Sequence, residues 1–137
     1  MRTVVIEGRR VALTNLEIMR RERIVENVRE NEEAFRARLA TLLELPIAGD
    51  LRGAGYFWAI ELVKDKETRE TFSADESESL LRGFLSRELF ARGLICRADD
   101  RGDPVVQISP PLVAGPDEFD RIVGTLGDVL EEAGRLR

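Results

Sequence analysis

The sequence contains no histidine, one cysteine and two lysines in 137 residues. Each scarcity removes a class of chemistry. Without an imidazole the chain builds no Ser–His–Asp triad of its own and no histidine-based zinc site. Its single thiol, Cys96, forms no disulfide within the chain, which fits a reducing compartment. Lysine is confined to Lys64 and Lys66, and 19 of the 21 basic residues are arginine. Chemistry that needs a lysine amine therefore has two places to look. No apolar run reaches the ~20 residues of a membrane-spanning helix, and the start, MRTVVIEGRR, lacks the apolar stretch of a secretory signal. From these absences we expect a cytoplasmic protein with no membrane partner. The net charge of −5 argues against nucleic acid as a partner.

What is present suits one folded domain. Hydrophobic residues make up 43% of the chain and charged residues 34%, and a chain of this length buries roughly two-thirds of its unfolded surface. Thr3 to Ile6 form a short β-branched run, a candidate strand. From Val11 to about Leu43 there is no Gly or Pro. Ile18, Val25, Val28, Phe35, Leu39 and Leu42 recur there at helical spacing. Opposite charges four residues apart, Glu17–Arg21, Arg29–Glu33 and Glu32–Arg36, line the other face. The pattern predicts one helix of ~30 residues, far above the usual roughly 11–12, resting on more than one packing surface.

Pro46 and Gly49 end that helix. The stretch LRGAGYFWAIELV (51–63) turns at Gly53 and Gly55 and then alternates as a buried strand. The charged VKDKETRE that follows is a loop. Ser73 to Glu76 spells a capping box, opening a second helix with Leu81, Phe84, Leu85 and Leu89 on one face and Gly93 at its end. Leu94–Ala98 and Pro104–Ser109 form two strands joined by the short DDRGD loop, and Pro110-Pro111 forbids further pairing. Pro116, Asp117 and Glu118 start a third helix, faced by Phe119, Ile122, Val123, Leu126 and Leu130. The predicted class is α+β: a two-layer sandwich of a three-stranded, mainly antiparallel sheet and three helices, the first very long. One face of so small a sheet is expected to be uncovered.

Few constellations point to chemistry. Arg52-Gly53-Ala54-Gly55 runs into a strand rather than a helix N-terminus and has no lysine, so Gly53 and Gly55 read as a structural turn and not a phosphate cradle. Asp99, Asp100 and Asp103 read as a solvated hairpin tip, since a hard cation wants roughly six oxygens. Cys96 reads as a small core residue, although the neighbouring arginine leaves a reactive thiolate open. Arg97, taken as the end of a strand, has two readings. It forms a surface pair with Asp99, Asp100 or Asp103, or it grips a carboxylate ligand through two parallel hydrogen bonds.

Four stretches in order carry a resemblance: VALTNLEIMRRERIVENVRENEEAF, LRGAGYFWAIELVKDK, ARGLICR, and GDPVVQISPPLV followed by a helix. Together they resemble the C-terminal part of the class III pyridoxal-phosphate aminotransferases, the ω-amino acid and amine transaminases of fold type I. The resemblance covers residues 11 to 135. Residues 1–10 do not match and read as an N-terminal extension, with 11–137 as the small C-terminal domain of a truncated or isolated unit. It implies that the long helix links this domain to a large cofactor domain. It also implies that Arg97 pairs with the substrate carboxylate and swings aside for uncharged amines. Gln107 stands where the ornithine and acetylornithine branch carries an arginine, ahead of the same two prolines. That departure points to the ω-amino acid or amine branch.

The family's Schiff-base lysine, the acidic partner of the pyridine nitrogen and the phosphate-binding loop belong to the large domain. The resemblance therefore implies that this chain holds no catalytic residue, no metal and no pyridoxal 5'-phosphate of its own. It would be inactive alone and would recognise an amino acid or keto acid within a complete, dimeric enzyme. A free-standing α+β ligand-binding or dimerisation module is the alternative.

Overall fold

Alternating burial along the strands decides how the layers stack. The structure, a computed structural model, describes residues 2–99 and 104–136, with side-chain surroundings from Arg10 onward except at Asp99. Its elements are α1 (Arg2–Arg21), α2 (Ile24–Ala40), a 3-10 turn (Thr41–Glu44), β1 (Ala48–Ala54), β2 (Phe57–Leu62) and α3 (Ala74–Glu78). A π-helical passage (Ser79–Leu85), α4 (Ser86–Ala91), β3 (Arg97–Asp99), β4 (Val105–Ile108) and α5 (Pro116–Arg135) complete them. The class is α+β as expected, but the sheet has four strands rather than three, in the order β1-β2-β4-β3. Every neighbouring pair is antiparallel. If the interrupted stretch from Ala74 to Ala91 is taken as one, the described residues hold four helices rather than three.

The extra strand comes from the segment expected to be a single strand after a turn. It is a hairpin: β1 pairs with β2 from Ala48↔Leu62 to Ala54↔Phe57, with an irregularity between Ala48 and Asp50. Gly55 takes φ +57° in the turn, a conformation that side chains with a Cβ resist. A Cβ on Gly53 would overlap the Phe57 carbonyl oxygen and stand 2.7 Å from Trp58 Cα. β1 has almost no apolar signature because it is an edge strand, buried only at Ala48 and half-buried at Leu51.

The extra helix comes from a break in the long one. Helix already begins at Arg2, so the β-branched run Thr3–Ile6 is helical and not a strand. At Arg23 the backbone turns left-handed, φ 52° and ψ 41°, a conformation that costs a non-glycine residue roughly 1 kcal/mol or more. Arg20, Arg21, Glu22 and Arg23 are all exposed, so no packing holds the helix straight there. Val25, expected in the buried stripe, is also exposed. The four-apart charge pairs give way to other partners. Arg21 meets Glu22, Arg36 meets Glu33, and Glu32 accepts the Gly55 backbone N–H at 3.1 Å.

β3 begins at Arg97, not at Leu94. The Leu94 N–H is still donating to the Leu89 carbonyl at 2.8 Å, closing the preceding helix around Gly93 at φ +78°. Arg97 therefore opens its strand rather than ending it, and Cys96 lies before the strand.

One layer of helices covers one face of the sheet. Trp58, Ile60 and Leu62 from β2, with Val106 and Ile108 from β4, are buried against Phe35, Leu39, Leu81, Leu85, Phe119 and Leu126 from the helices. Burying each such side chain stabilises by about 1.5–3 kcal/mol. Phe35 stacks on Phe119 with centroids 4.5 Å apart, and Tyr56 meets both edge-on at 5.7 and 5.3 Å. The capping box forms as expected, Ser73 N–H donating to Glu76 Oε2 at 2.9 Å and Glu76 N–H to Ser73 Oγ at 3.3 Å. At α5 the Gly115 N–H donates to Glu118 Oε2 at 2.9 Å, behind a proline in the first turn.

Candidate functional site

The other face of the sheet carries the residues with chemistry. β2 alternates outward at Phe57, Ala59 and Glu61, and β4 at Val105 and Gln107. Directly opposed residues of an antiparallel pair point to the same side. Arg52 opposes Ala59, Ala59 opposes Gln107, and Gln107 opposes Arg97. Arg52, Ala59, Gln107 and Arg97 thus form one row across all four strands, on the face without helices. Arg97 is exposed and Gln107 half-buried.

The two arginines differ in their surroundings. Arg52 is committed within the sheet, donating to Glu61 Oε2 at 2.5 Å with Asp50 at 3.5 Å. Arg97 is also engaged by an interaction within the chain, from an exposed position at the sheet edge. Asp100 and Asp103 of the expected hairpin tip lie outside the described residues. Among those described, no group of three side chains could hold a metal ion, and no helix is long and apolar enough to cross a membrane.

Two neighbours escaped the sequence reading because their partners are far along the chain. Asn27 on α2 donates through Nδ2 to the Leu112 carbonyl at 2.8 Å, and the Tyr56 hydroxyl donates to the Ala114 carbonyl at 3.0 Å. Both pin the segment that follows Pro110-Pro111, and so the end of β4 beside which Arg97 sits. Burial pushes the Tyr56 phenol up, with Asn27 opposing the shift.

Cys96 is half-buried and packs against the core. Desolvation pushes its thiol up to about 11, so it stays protonated at neutral pH, and the reactive-thiolate reading falls away.

Neither lysine fits a Schiff base with pyridoxal 5'-phosphate, which wants a desolvated, neutral amine. The Lys64 ammonium lies 2.9 Å from Glu76 and 3.3 Å from Glu70, and hydrogen bonding to Glu76 raises its pKa. Lys66 donates to the Leu43 carbonyl in an exposed loop. The turn at Gly53 and Gly55 leads into β2, so no helix N-terminus stands there to take a phosphate. Two clefts of about 440 and 560 Å³ lie beside the Lys64 and Lys66 loop, and neither is lined by Arg97 or Gln107.

Comparison with known proteins gives one consistent answer. The aminotransferase class-III family model matches residues 9–130. A probable aminotransferase of Mycobacterium tuberculosis is 54% identical over 125 residues, which is 91% of this chain and 27% of that protein. The putrescine–pyruvate aminotransferase of Pseudomonas aeruginosa is 43% identical over 115 residues, 82% of this chain and 24% of its own length. In three dimensions a thermostable (S)-enantioselective ω-transaminase from Thermomicrobium roseum superposes with a TM-score of 0.79 at 30% identity, covering 90% of this chain and 26% of that one. The chain spans about a quarter of the length of the curated relatives it matches. With a family model matched along most of its length and the same fold in a solved transaminase, the chain belongs to the class III aminotransferases.

Proposed function

We propose that this chain is the substrate-recognising small domain of an aminotransferase that moves an amino group from an ω-amino acid or amine to a keto acid. The observation that carries the proposal is the placement of Arg97 on the open face of the sheet, beside Gln107 and away from the core. A guanidinium there can take a carboxylate through two parallel hydrogen bonds and stays charged at every physiological pH. Similarity to an ω-transaminase and to a putrescine–pyruvate aminotransferase favours amine and ω-amino substrates. Gln107 in place of a second arginine favours the same branch.

In this reading residues 11–137 form the domain, with residues 1–10 in front of it, and the chain alone transfers no amino group. Class III aminotransferases as a family use pyridoxal 5'-phosphate. We assign none to this fragment, because Lys64 and Lys66 are both committed to other partners. The complete enzyme would work in the cytoplasm as a homo-oligomer, most simply a dimer. Exposed Leu13 and Leu16, three residues apart and so on one side of α1, supply an apolar contact for such an assembly. The same contact supports the dimerisation module as second reading.

A chimera tests the proposal. This chain replaces the corresponding quarter of the Mycobacterium tuberculosis relative, and amino transfer to pyruvate is measured from a series of ω-amino acids and amines. Retained transfer is expected. A chimera that folds, binds its cofactor and transfers nothing would overturn the assignment.

A further inference from the structure

We infer that Gln107 is the second half of the carboxylate grip, donating a side-chain N–H to the same carboxylate that Arg97 holds and selecting monocarboxylate over dicarboxylate ligands. The inference deepens the reading of Arg97 given above and rests on it.

The two residues are direct partners in the β3–β4 register. Opposed side chains in an antiparallel pair start ~4.5–5.5 Å apart at Cβ and point to the same side. Both therefore reach the same point above the open face. Gln107 alternates with buried Val106 and Ile108, which holds its backbone rigidly and turns its amide outward. Among the described residues, nothing hydrogen-bonds to that amide. Its polar atoms are not sealed from solvent, so the amide is open to a ligand on that face. Its neighbour on the other side is Ala59, whose methyl group leaves space beside it. The next residue in the row, Arg52, is held by Glu61 and Asp50 and does not compete.

A carboxylate has two oxygens with about four acceptor directions. The guanidinium fork fills two of them, and an amide N–H from the adjacent strand can take a third. Because glutamine is neutral, it adds direction without a second positive charge. A pair of guanidiniums on adjacent strands would attract two carboxylates, whereas one guanidinium and one amide match a single carboxylate. The ligand class is thus a monocarboxylic keto or amino acid.

The test uses the 15N-labelled chain titrated with pyruvate, against sodium chloride at matched ionic strength, with 2-oxoglutarate as the dicarboxylate. The Gln107 side-chain NH2 signals should shift saturably with pyruvate. Gln107→Leu should weaken pyruvate binding about threefold to tenfold, the scale of one hydrogen bond to a charged group at an exposed site. Gln107→Arg should reverse the preference towards 2-oxoglutarate. Backbone spectra of each variant establish that the fold is kept. If Arg97→Ala weakens pyruvate binding while Gln107→Leu and Gln107→Arg bind like the parent, the inference about Gln107 is overturned and the reading of Arg97 stands. If Arg97→Ala also binds like the parent, or if pyruvate moves nothing beyond the salt control, the reading of Arg97 fails and the inference falls with it.

Discussion

The two faces of the sheet are written in the same strands, one residue out of step, and they do opposite work. Trp58, Ile60, Leu62, Val106 and Ile108 face the helices and are buried. Phe57, Ala59, Gln107 and Arg97 face away, and Phe57 is 61% exposed. The inner set accounts for the fold through apolar burial. The outer set contributes little to folding, so its composition is free to answer to a ligand or to a covering surface. Substitutions on adjacent residues of one strand should therefore separate stability from recognition.

The largest effect is expected at Ile60, fully buried in a central strand. Ile60→Ala should cost about 2–5 kcal/mol in urea unfolding. A loss similar to that of an outward-facing substitution would erase the distinction between the faces. Next comes the turn that makes the sheet four-stranded. Gly53→Ala should destabilise by roughly 1–3 kcal/mol, since a Cβ there meets backbone at Phe57 and Trp58. Unchanged stability would mean that the hairpin is not held as described.

The third effect depends on pH. Hydrogen bonds from Lys64, then from Ser73, hold the Glu76 carboxyl down at about 2 from an ordinary value of 4.5. A depressed carboxyl stabilises the fold above its unfolded pKa, and that contribution is lost as the pH falls through the folded value. The Glu76 contribution should accordingly be complete above about pH 4.5 and fade towards pH 2. Glu76→Gln should flatten the stability profile across that window, as read by urea unfolding at pH 5 and pH 2.5. Parallel profiles for variant and parent would show that the cap does not titrate this way.

The smallest effect on stability belongs to the outer face. Phe57→Ala should change unfolding by less than about 0.5 kcal/mol, while lowering binding of an apolar-surface dye. Leu13→Ser with Leu16→Ser on α1 should likewise leave melting nearly unchanged and reduce the average mass seen by light scattering. A parent chain that is monomeric at high concentration would remove the assembly reading.

The comparison also explains what was legible in the sequence. Ser73–Glu76, Gly93 and Pro116 are local signals, settled within a turn of helix, and each does what its residue type implies. The alternation from Tyr56 to Leu62 was legible because one face is buried. β1 was not, since an edge strand of Gly, Ala and charged residues with a single Leu leaves almost no apolar pattern. The break at Arg23 carries no Gly or Pro. It follows from four exposed charged residues with nothing to pack against. The π-helical passage from Ser79 to Leu85 has no residue signature either, and its leucines kept helical spacing well enough to pass for an ordinary helix.

At the site, Arg97 and Gln107 were each singled out, but their pairing was not. The pairing depends on the β3–β4 register, which begins at Arg97 and not at the apolar Leu94. The outward side of Gln107 was readable from Val106 and Ile108 on either side of it. Asn27 and Tyr56, which hold the segment after β4, gave no signal because their partners lie 85 and 58 positions away.

The central claim is that Arg97 serves a ligand and not the fold. It is tested most directly by Arg97→Ala in the chimera, comparing kcat/KM for an ω-amino acid with that for an uncharged amine. A bidentate, charge-assisted pair is worth roughly 1.5–3 kcal/mol, so the acidic substrate should lose at least about tenfold and the neutral amine far less, with melting of the variant unchanged. An equal loss for both substrates, or a sharp drop in melting temperature, would contradict the account and make Arg97 a structural residue.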